Sequence, residues 1–190
     1  MAAGHGSRGD AITLIDHAGN AIGESDKTAV HRDGLIHRAV SVFLFDSAGR
    51  LLLQRRAAKK YHSAGLWANT CCTHPRPRET PSEAAHRRLG EEMGIACPLR
   101  ELFAFTYRVS FDNGLIEHEF DHVFAGLFNG RPHPETSEVQ ECKWVEEDAL
   151  LADIARNPKI YAHWLKLCVR RVLSEFNSEV FRSGKSGWCG

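Results

Sequence analysis

One helix of this 190-residue chain can be delimited at both ends from the sequence, and it constrains the fold more than any other feature. Residues 80–83 read Thr-Pro-Ser-Glu, which places an N-cap threonine before a proline, with a glutamate three residues after the cap. Gly94 is the usual left-handed residue at the carboxyl end of a helix. We therefore predict a helix from Pro81 to Met93.

Segments rich in β-branched and aromatic residues surround this helix. We predict strands over residues 11–15, 35–45, 50–56, 102–111, 115–127 and 141–145, and further helices over 147–155 and 159–176. Turn residues favour a hairpin between the second and third strands, and Asp112-Asn113-Gly114 favours one between the fourth and fifth. Because strands and helices mix without regular βαβ alternation, the predicted fold class is α+β with a mixed sheet.

The remaining segments carry weaker signals. Residues 16–34 are predicted to contain a short helix or loop, and residues 59–77 to be irregular around a buried Trp67. At this length one domain is expected, which we place at residues 11–176. Residues 1–10 are expected to be mobile, and residues 177–190 to form a polar tail.

Composition and terminal patterns exclude several classes of protein. Lys+Arg and Asp+Glu both number 24, so the formal net charge is 0, which argues against nucleic acid or an anionic membrane as partner. The longest apolar stretch, residues 39–45, is far shorter than the roughly 20 residues that span a bilayer. We find no apolar leader and no lipidation or peroxisomal signal, so a cytoplasmic location is expected.

The six cysteines have neither C-x-x-C pairs nor a framework-like spacing, so free thiols are expected. Adjacent Cys71 and Cys72 would form a poor structural zinc element, because the cysteines of such sites are spaced further apart. The presence of this pair therefore needs another explanation.

The predicted helix carries two rows of charge. Glu83, Arg87 and Glu91 recur every four residues, and Arg88 and Glu92 form a second row. Such rows are common on surface helices, so an ion-paired face exposed to solvent is one interpretation. Adjacent carboxylates at the end of a helix are also suitable ligands for Mg2+, which bridges to substrate phosphates.

The sequence around this helix resembles a known motif. Residues 79–95 read E-x7-R-R-L-G-E-E-M-G-I, which resembles the Nudix box, G-x5-E-x7-R-E-U-x-E-E-x-G-U. The resemblance implies a Nudix-like mixed sheet flanked by helices, with Mg2+ on Glu92 bridging to a diphosphate. Thr73 and Arg88 stand where the box has glycine and glutamate. The lost carboxylate disfavours pyrophosphate hydrolysis, and the added cation favours diphosphate binding.

A second motif precedes the box. Residues 69–75 read N-T-C-C-T-H-P, which resembles the N-x-x-C-x-H-P motif of the type I isopentenyl-diphosphate isomerase family. The resemblance implies that Cys72 is catalytic and that His74 binds a metal ion. From the residue alone, a free cysteine is most often a small buried hydrophobe, so this alternative stays open for Cys72.

Glu117-His118-Glu119 lies in a predicted strand, where alternation places both carboxylates on one face and His118 on the other. Two such carboxylates repel each other unless they bind a cation or one is protonated. Two exposed glutamates on a solvated face are the alternative. The resemblance implies that Glu119 acts as acid or base.

The resemblance also implies a second divalent cation, Mn2+, Mg2+ or Zn2+, at a site of histidines and glutamates. This set comprises His31, His37, His74, Glu117 and Glu119, and an octahedral cation suits it. For the other histidines considered, solvated or hydrogen-bonded roles are expected: His5, His17, His62 and His133.

Further residues match family positions that contact the substrate. The diphosphate-binding cations would be Lys27, Arg56, Lys60 and Arg88. Tyr107 matches a tyrosine that hydrogen-bonds the catalytic glutamate. Trp164 matches a tryptophan that lines the hydrocarbon pocket, and plain core packing is its alternative.

The implied function is the isomerisation of isopentenyl diphosphate to dimethylallyl diphosphate through a tertiary carbocation, in isoprenoid biosynthesis. The expected partner is a small-molecule allylic or homoallylic diphosphate, and the expected state is a monomer or weak homodimer. The main alternative is a Nudix hydrolase of nucleoside diphosphate compounds. A non-catalytic Nudix-like binding module is the third possibility.

Overall fold

The computed structural model describes residues 11–60 and 62–183, which form one mixed nine-stranded sheet flanked by helices. The strands are β1 (Ala11–Ile15), β2 (Ala21–Asp26), β3 (His37–Phe45), β4 (Leu51–Arg56), β5 (Trp67–Ala68), β6 (Cys71–Thr73), β7 (Arg100–Ser110), β8 (Ile116–Leu127) and β9 (Val139–Val145). The helices are α1 (Lys27–Asp33), α2 (Pro81–Met93), α3 (Glu147–Arg156) and α4 (His163–Ser183), with a 3-10 turn over Pro158–Ile160. The predicted α+β class is confirmed.

Strand β3 is the centre of the sheet. It pairs in parallel with β8 along its whole length, beginning with His37 opposite Glu119. Its other edge pairs antiparallel with β6, where Ser41 lies opposite Cys72. A strand that has neighbours on both edges and cover on both faces is buried throughout, which explains the nearly continuous apolar sequence of β3.

The other strands extend the sheet on either side. Strand β7 pairs antiparallel with β8, and the predicted hairpin turn at Asp112-Asn113-Gly114 is confirmed. The predicted hairpin between β3 and β4 is confirmed at its turn, where Phe45 pairs antiparallel with Leu51, but the pairing does not extend further along the two strands. The two strands diverge because β6 and β8 occupy the edges of β3, whereas β4 pairs with β5 and β9.

Alternate side chains of β3 pack into two separate cores. Phe43 and Phe45 belong to the core that includes residues of α3 and α4, and Phe45 stacks on Phe176 with ring centroids 3.8 Å apart. Val42 and Leu44 belong to the core that includes Leu89 and other residues of α2. The sheet is therefore a central layer between α2 on one side and α3 with α4 on the other.

Helix α2 has the bounds predicted from the sequence. The Thr80 side chain accepts a hydrogen bond from the backbone N–H of Glu83, and the Glu83 carboxylate accepts one from the backbone N–H of Thr80. Gly94 ends the helix with φ 64°. A Cβ atom at this glycine would lie 2.8 Å from the backbone oxygen of His133, so close approach as well as backbone conformation requires glycine.

Replacement of Thr80 by alanine is expected to lower the free energy of unfolding by about 1 kcal/mol, because it removes the cap that satisfies the Glu83 N–H. Urea unfolding measures this change. Ser82→Ala is the matched control, since Ser82 is an exposed residue inside the first turn and not its cap. An equal loss in both variants would contradict the capping assignment.

Three segments differ from the sequence prediction. Residues 16–34 contain a strand, β2, as well as the helix α1, and β2 was missed because nearly all of its side chains are exposed. Residues 59–77 contain the short strands β5 and β6, which depend on distant pairing partners. The last helix starts later than predicted, because Tyr161 forms a bridge with Trp67 before α4 begins.

Several other expectations can be compared with the structure. Trp67 is buried as predicted, and Cys71, Cys72, Cys97, Cys142 and Cys168 are free thiols. Helix α4 continues beyond Phe176 to Ser183. Cys189, the predicted mobile residues 1–10 and the end of the predicted tail lie outside the described residues. Among the described residues, no helix combines the length and apolar character that crossing a bilayer requires.

Candidate active site

One cavity brings the predicted catalytic side chains together. Cys72, Tyr107, Glu119 and Trp164 line it. Strand pairing explains why residues so distant in sequence meet here. Tyr107 of β7 lies opposite Glu119 of β8, and Glu119 lies opposite His37 of β3, so the three side chains project from the same face of the sheet.

Four of the predicted metal ligands form a compact group. His31, His37, His74 and Glu119 each offer a ligand atom, and these atoms all lie within 4.8 Å of one another. Glu119 Oε1 is 3.1 Å from His74 Nε2 and 3.5 Å from His37 Nε2. The Nε2 atom of His37 is buried and has no hydrogen-bond partner among the described residues. A buried, unpartnered ring nitrogen facing a carboxylate suits a metal ligand.

Backbone carbonyl groups orient two of these imidazole rings. His31 Nδ1 lies 2.7 Å from the Lys27 carbonyl oxygen, and His37 Nδ1 lies 2.8 Å from that of Leu35. Since a carbonyl oxygen can only accept, Nδ1 carries a hydrogen in both rings, which leaves Nε2 as the atom that could bind a metal ion. Burial lowers the pKa of His31, and lowers that of His74 to about 3. Neutral imidazoles with one carboxylate fit a divalent cation.

The two glutamates of β8 lie on one face of the sheet, as predicted, and share a tyrosine. Tyr107 Oη is 2.7 Å from Glu119 Oε2 and 3.1 Å from Glu117 Oε2. Burial and the neighbouring Glu119 charge raise the pKa of Glu117. Burial alone would raise the pKa of Glu119 as well, but contacts with His37 and His74 hold it low. The pair therefore combines a protonated and an ionised carboxyl group.

Glu117 lies beside the histidine group and not within it. The group of close ligand atoms includes Glu119 but omits Glu117. Glu117 Oε1 instead lies 3.4 Å from His62 Nδ1. The structure thus brings four of the five predicted ligands together and places the fifth against a different histidine.

Cys72 has two hydrogen-bond partners at the cavity wall. Its Sγ lies 3.2 Å from Asn69 Oδ1 and 3.6 Å from Ser41 Oγ. Asn69 Oδ1 also accepts a hydrogen bond of 2.9 Å from Trp164 Nε1, which fixes the indole ring at the same wall. Burial raises the pKa of the Cys72 thiol to about 12, so the side chain is protonated at neutral pH.

Three of the four predicted diphosphate-binding cations line the same cavity, namely Lys27, Arg56 and Lys60. Burial lowers the pKa of Lys27, and the positive charges of Lys60 and Arg56 lower it further. The Arg56 guanidinium lies 5.3 Å from the centre of the Trp164 ring. Mutually repelling cations at a cavity wall favour the binding of an anion.

The fourth cation, Arg88, lines an adjoining cavity with Lys27 and His74. Its Nε lies 3.3 Å from Glu92 Oε2, a buried oxygen without a hydrogen-bond partner among the described residues. Burial raises the pKa of Glu92, although Arg88 opposes this shift. A buried carboxylate oxygen that is ion-paired with Arg88 but accepts no hydrogen bond from the described residues suits an ion that bridges between the protein and phosphate groups. Arg88 and Lys60 are both paired with Glu138, a residue that sequence reasoning missed.

The ion-paired rows predicted for α2 are present in part, because Glu83 belongs to the cap at Thr80. Arg87 pairs with Glu79 at 2.6 Å and with Glu91 at 3.1 Å. Glu91 is also 3.4 Å from Arg88. The two interpretations of the helix are therefore compatible, since Glu91 belongs to the ion-paired surface and Glu92 points into the protein.

His62 is the largest difference between the predicted and the observed site. We expected a solvated or hydrogen-bonded histidine. His62 Nδ1 does lie 3.4 Å from Ser63 Oγ, but the side chain lines the cavity, and burial lowers its pKa to about 3. Its ring stacks on Phe111, with centroids 5.5 Å apart, and meets Trp164 edge-on. Nothing in the local sequence distinguishes it, because its neighbours in the cavity come from distant segments.

Ser41, Asn69 and Asp121 were also missed. Asn69 lies inside the motif that pointed to Cys72, so its spacing could have identified it. Asp121 continues the alternation of Glu117 and Glu119 along β8 and faces the same side of the sheet. Ser41 has no comparable signal, since it interrupts an apolar strand.

The fold agrees with what comparison with known proteins finds. The NUDIX domain family matches residues 35–168. The crystal structure of DR0079 from Deinococcus radiodurans has the same fold, with a TM-score of 0.72 at 21% identity over 85% of this chain and 98% of that chain. The NUDIX domain of Shewanella oneidensis NrtR superimposes with a TM-score of 0.53 at 17% identity, over 75% and 86% of the two chains. The chain is a Nudix-domain protein.

Comparison with sequence relatives places the chain in one family among the Nudix-domain proteins. Isopentenyl-diphosphate Delta-isomerase 2 of Aromatoleum aromaticum is 52% identical over 165 residues, which cover 87% of this chain and 87% of the relative. Isopentenyl-diphosphate Delta-isomerase of Burkholderia multivorans is 50% identical over 160 residues, which cover 84% and 91%. The chain belongs to the isopentenyl-diphosphate Delta-isomerase family.

Proposed function

We propose that this chain moves the double bond of isopentenyl diphosphate to give dimethylallyl diphosphate, in isoprenoid biosynthesis. One structural observation supports the proposal in addition to family membership. A single cavity is lined by a thiol, Cys72, by a carboxylate, Glu119, and by the cations Lys27, Arg56 and Lys60. These are the groups that proton transfer to a diphosphate-bearing alkene requires.

An unactivated alkene has neither an acidic hydrogen nor a carbonyl group to polarise. Its double bond can shift if an acid adds a proton to the terminal carbon while a base removes one from the methylene group beside the substituted carbon. The first transfer gives a tertiary carbocation, and the second forms the new double bond. The protein must therefore supply both groups and exclude water, which would convert the carbocation to an alcohol.

Cys72 and Glu119 are the proposed acid and base. Cys72 is protonated in the buried site, whereas Glu119 is ionised and accepts a hydrogen bond from Tyr107. The protonation states of the two groups therefore differ before the substrate binds. The hydrogen bond from Trp164 to Asn69 holds the indole ring in place. The face of this ring would stabilise the carbocation by about 2 kcal/mol.

The cations would hold the diphosphate, so that binding energy from this remote group orients the alkene between acid and base. Lys27, Arg56 and Lys60 line the reaction cavity, and Arg88 lines the cavity that adjoins it. Glu138, which pairs with both Lys60 and Arg88, would orient those two side chains before the substrate binds.

Two divalent cations are part of the proposal. His31, His37, His74 and Glu119 would hold one of them, Mn2+, Mg2+ or Zn2+, and Glu92 would hold Mg2+ against the diphosphate. When bound, the ion at the histidine site would polarise the Glu119 carboxyl group. The ion at Glu92 would neutralise phosphate charge. Glu117, although implied as a fifth ligand, would serve the first site only after turning away from His62.

Hydrolysis by the Nudix box is not favoured. Arg88 replaces a glutamate of the box, and hydrolysis has no use for the thiol and indole that line the reaction cavity. A non-catalytic binding module is not favoured either, because four close metal ligands are retained. We further propose that the enzyme acts in the cytoplasm on a small allylic or homoallylic diphosphate, as a monomer or weak homodimer, without nucleic acid or membrane partners.

The function can be tested with isopentenyl diphosphate and Mg2+ in D2O, with the products followed by NMR. We expect dimethylallyl diphosphate that carries deuterium, because the proton added to the alkene comes from a group that exchanges with solvent. A sample treated with a chelator is the control. Release of phosphate or pyrophosphate without isomerisation would contradict the proposal and favour a hydrolase.

A further inference from the structure

A buried carboxyl group behind the reactive thiol has no role in the reaction described above. Asp121 of β8 is 1% exposed. Its Oδ2 accepts a hydrogen bond of 2.7 Å from Ser41 Oγ, and its Oδ1 is buried without a hydrogen-bond partner among the described residues. A buried carboxyl group with an unsatisfied oxygen costs free energy. Stabilisation of the fold therefore does not explain why an aspartate occupies this position.

Ser41 connects Asp121 to Cys72. Ser41 lies opposite Cys72 in the β3–β6 pair, and its Oγ is 3.6 Å from Cys72 Sγ. A hydroxyl group has one hydrogen to donate. Because Asp121 accepts that hydrogen, the lone pairs of Ser41 Oγ are left to face the thiol.

The other partner of the thiol is an acceptor as well. Asn69 Nδ2 donates to the carbonyl oxygens of Val42, at 3.1 Å, and Cys71, at 3.0 Å. This use of the amide hydrogens leaves Asn69 Oδ1 to face Cys72 and Trp164. The S–H group thus lies between two acceptors.

We propose that Asp121 is a positioning residue for Cys72. Its 2.7 Å hydrogen bond fixes the rotation of the Ser41 hydroxyl group, which lies 3.6 Å from the sulfur. Without Asp121, the Ser41 hydroxyl group loses this restraint, and the S–H group of Cys72 loses its defined orientation. This inference rests on the proposed function, in which Cys72 transfers a proton.

The Asp121 side chain does not line the cavity, and it is not one of the side chains proposed to bind the diphosphate. Its loss should therefore affect kcat and leave KM nearly unchanged. We expect Asp121→Leu to lower kcat for isopentenyl diphosphate about tenfold, as for the loss of one hydrogen bond in the transition state. Asp121→Asn keeps an acceptor for Ser41 and should stay within about threefold of the unsubstituted protein.

Thermal stability and metal content separate positioning from a structural role. Leucine removes an unsatisfied buried oxygen, so Asp121→Leu should unfold at a temperature no lower than the unsubstituted protein. Bound metal, measured by elemental analysis, should be equal in all variants. Lower kcat at undiminished stability and metal content is the result that a merely structural residue would not give.

Ser41→Ala provides the second test and covers the case in which Asp121→Leu does not fold. If the effect passes through Ser41, Ser41→Ala lowers kcat, and adding Asp121→Asn or Asp121→Leu to it causes no further loss. Unchanged kcat in Asp121→Leu, an equal loss in Asp121→Asn, or additive losses with Ser41→Ala would each overturn the inference. Absence of isomerisation by the unsubstituted protein would overturn the proposed function itself and is seen before any variant is compared.

Discussion

Cys72→Ala is expected to lower kcat for isopentenyl diphosphate by about 10²–10⁴-fold, the usual cost of losing a general acid or base. Alanine retains the Cβ atom in β6, so strand pairing with β3 is kept. What disappears is the exchangeable hydrogen held between Asn69 and Ser41 at the cavity wall. Steady-state turnover, with deuterium incorporation in D2O, measures the effect.

The adjacent cysteine is the matched control for this prediction. Cys71 is fully buried on the other side of the sheet, in the core formed with α2, and burial raises its pKa well above the usual range. Cys71→Ala should lower the free energy of unfolding by about 1 kcal/mol and leave kcat of the folded protein unchanged. Near-normal turnover of Cys72→Ala, or equal losses of turnover in both variants, would indicate that Cys72 is a structural thiol and does not transfer a proton.

Glu119→Gln is expected to have the second large effect, because the Glu119 carboxylate contacts His37, His74 and Tyr107. The substitution preserves size and removes the negative charge. We expect kcat to fall by about 10²–10⁴-fold. Metal affinity should fall by at least the roughly 10-fold to 100-fold that losing an outer partner costs. Turnover and metal titration measure the two losses separately.

Excess metal distinguishes the two roles of Glu119. If Glu119 also transfers a proton, saturating divalent cation restores metal content but not turnover. Full recovery of turnover would show that Glu119 is a ligand alone. Glu101→Gln is the control, since this exposed glutamate of β7 pairs with His122 away from the cavity, and its turnover should match that of the unsubstituted protein.

Local sequence predicted the elements whose ends are defined by nearby residues. The capping box at Thr80, the left-handed Gly94 and the turn at Asp112-Asn113-Gly114 act over a few residues, so helix α2 and the β7–β8 hairpin were predicted correctly. Strands β2, β5 and β6 were missed. Strand β2 is too exposed to show a pattern, and β5 and β6 are held by partners far away in the chain.

The candidate site likewise contains residues that the sequence indicated and contacts that it could not predict. Resemblance to family motifs selected Cys72, His74, Glu117 and Glu119 as candidates, because these residues lie in two short segments of sequence. Distances among His31, His37 and Glu119 depend on how α1, β3 and β8 pack, and so does the contact of Glu117 with His62. Spacing alone could not show that the fifth expected ligand lies beside the group and not within it.

The sequence by itself determined which chemical groups are available, because it supplies the cysteine, histidine and glutamate side chains. It also determined that Glu117 and Glu119 share a face, because side chains alternate along any strand. Only the tertiary structure decided which groups touch. The parallel pairing of β3 with β8 set Glu119 against His37, and the antiparallel pairing of β3 with β6 set Ser41 against Cys72. Both pairings join segments separated by long stretches of chain, so burial and sheet hydrogen bonding across the whole domain select them.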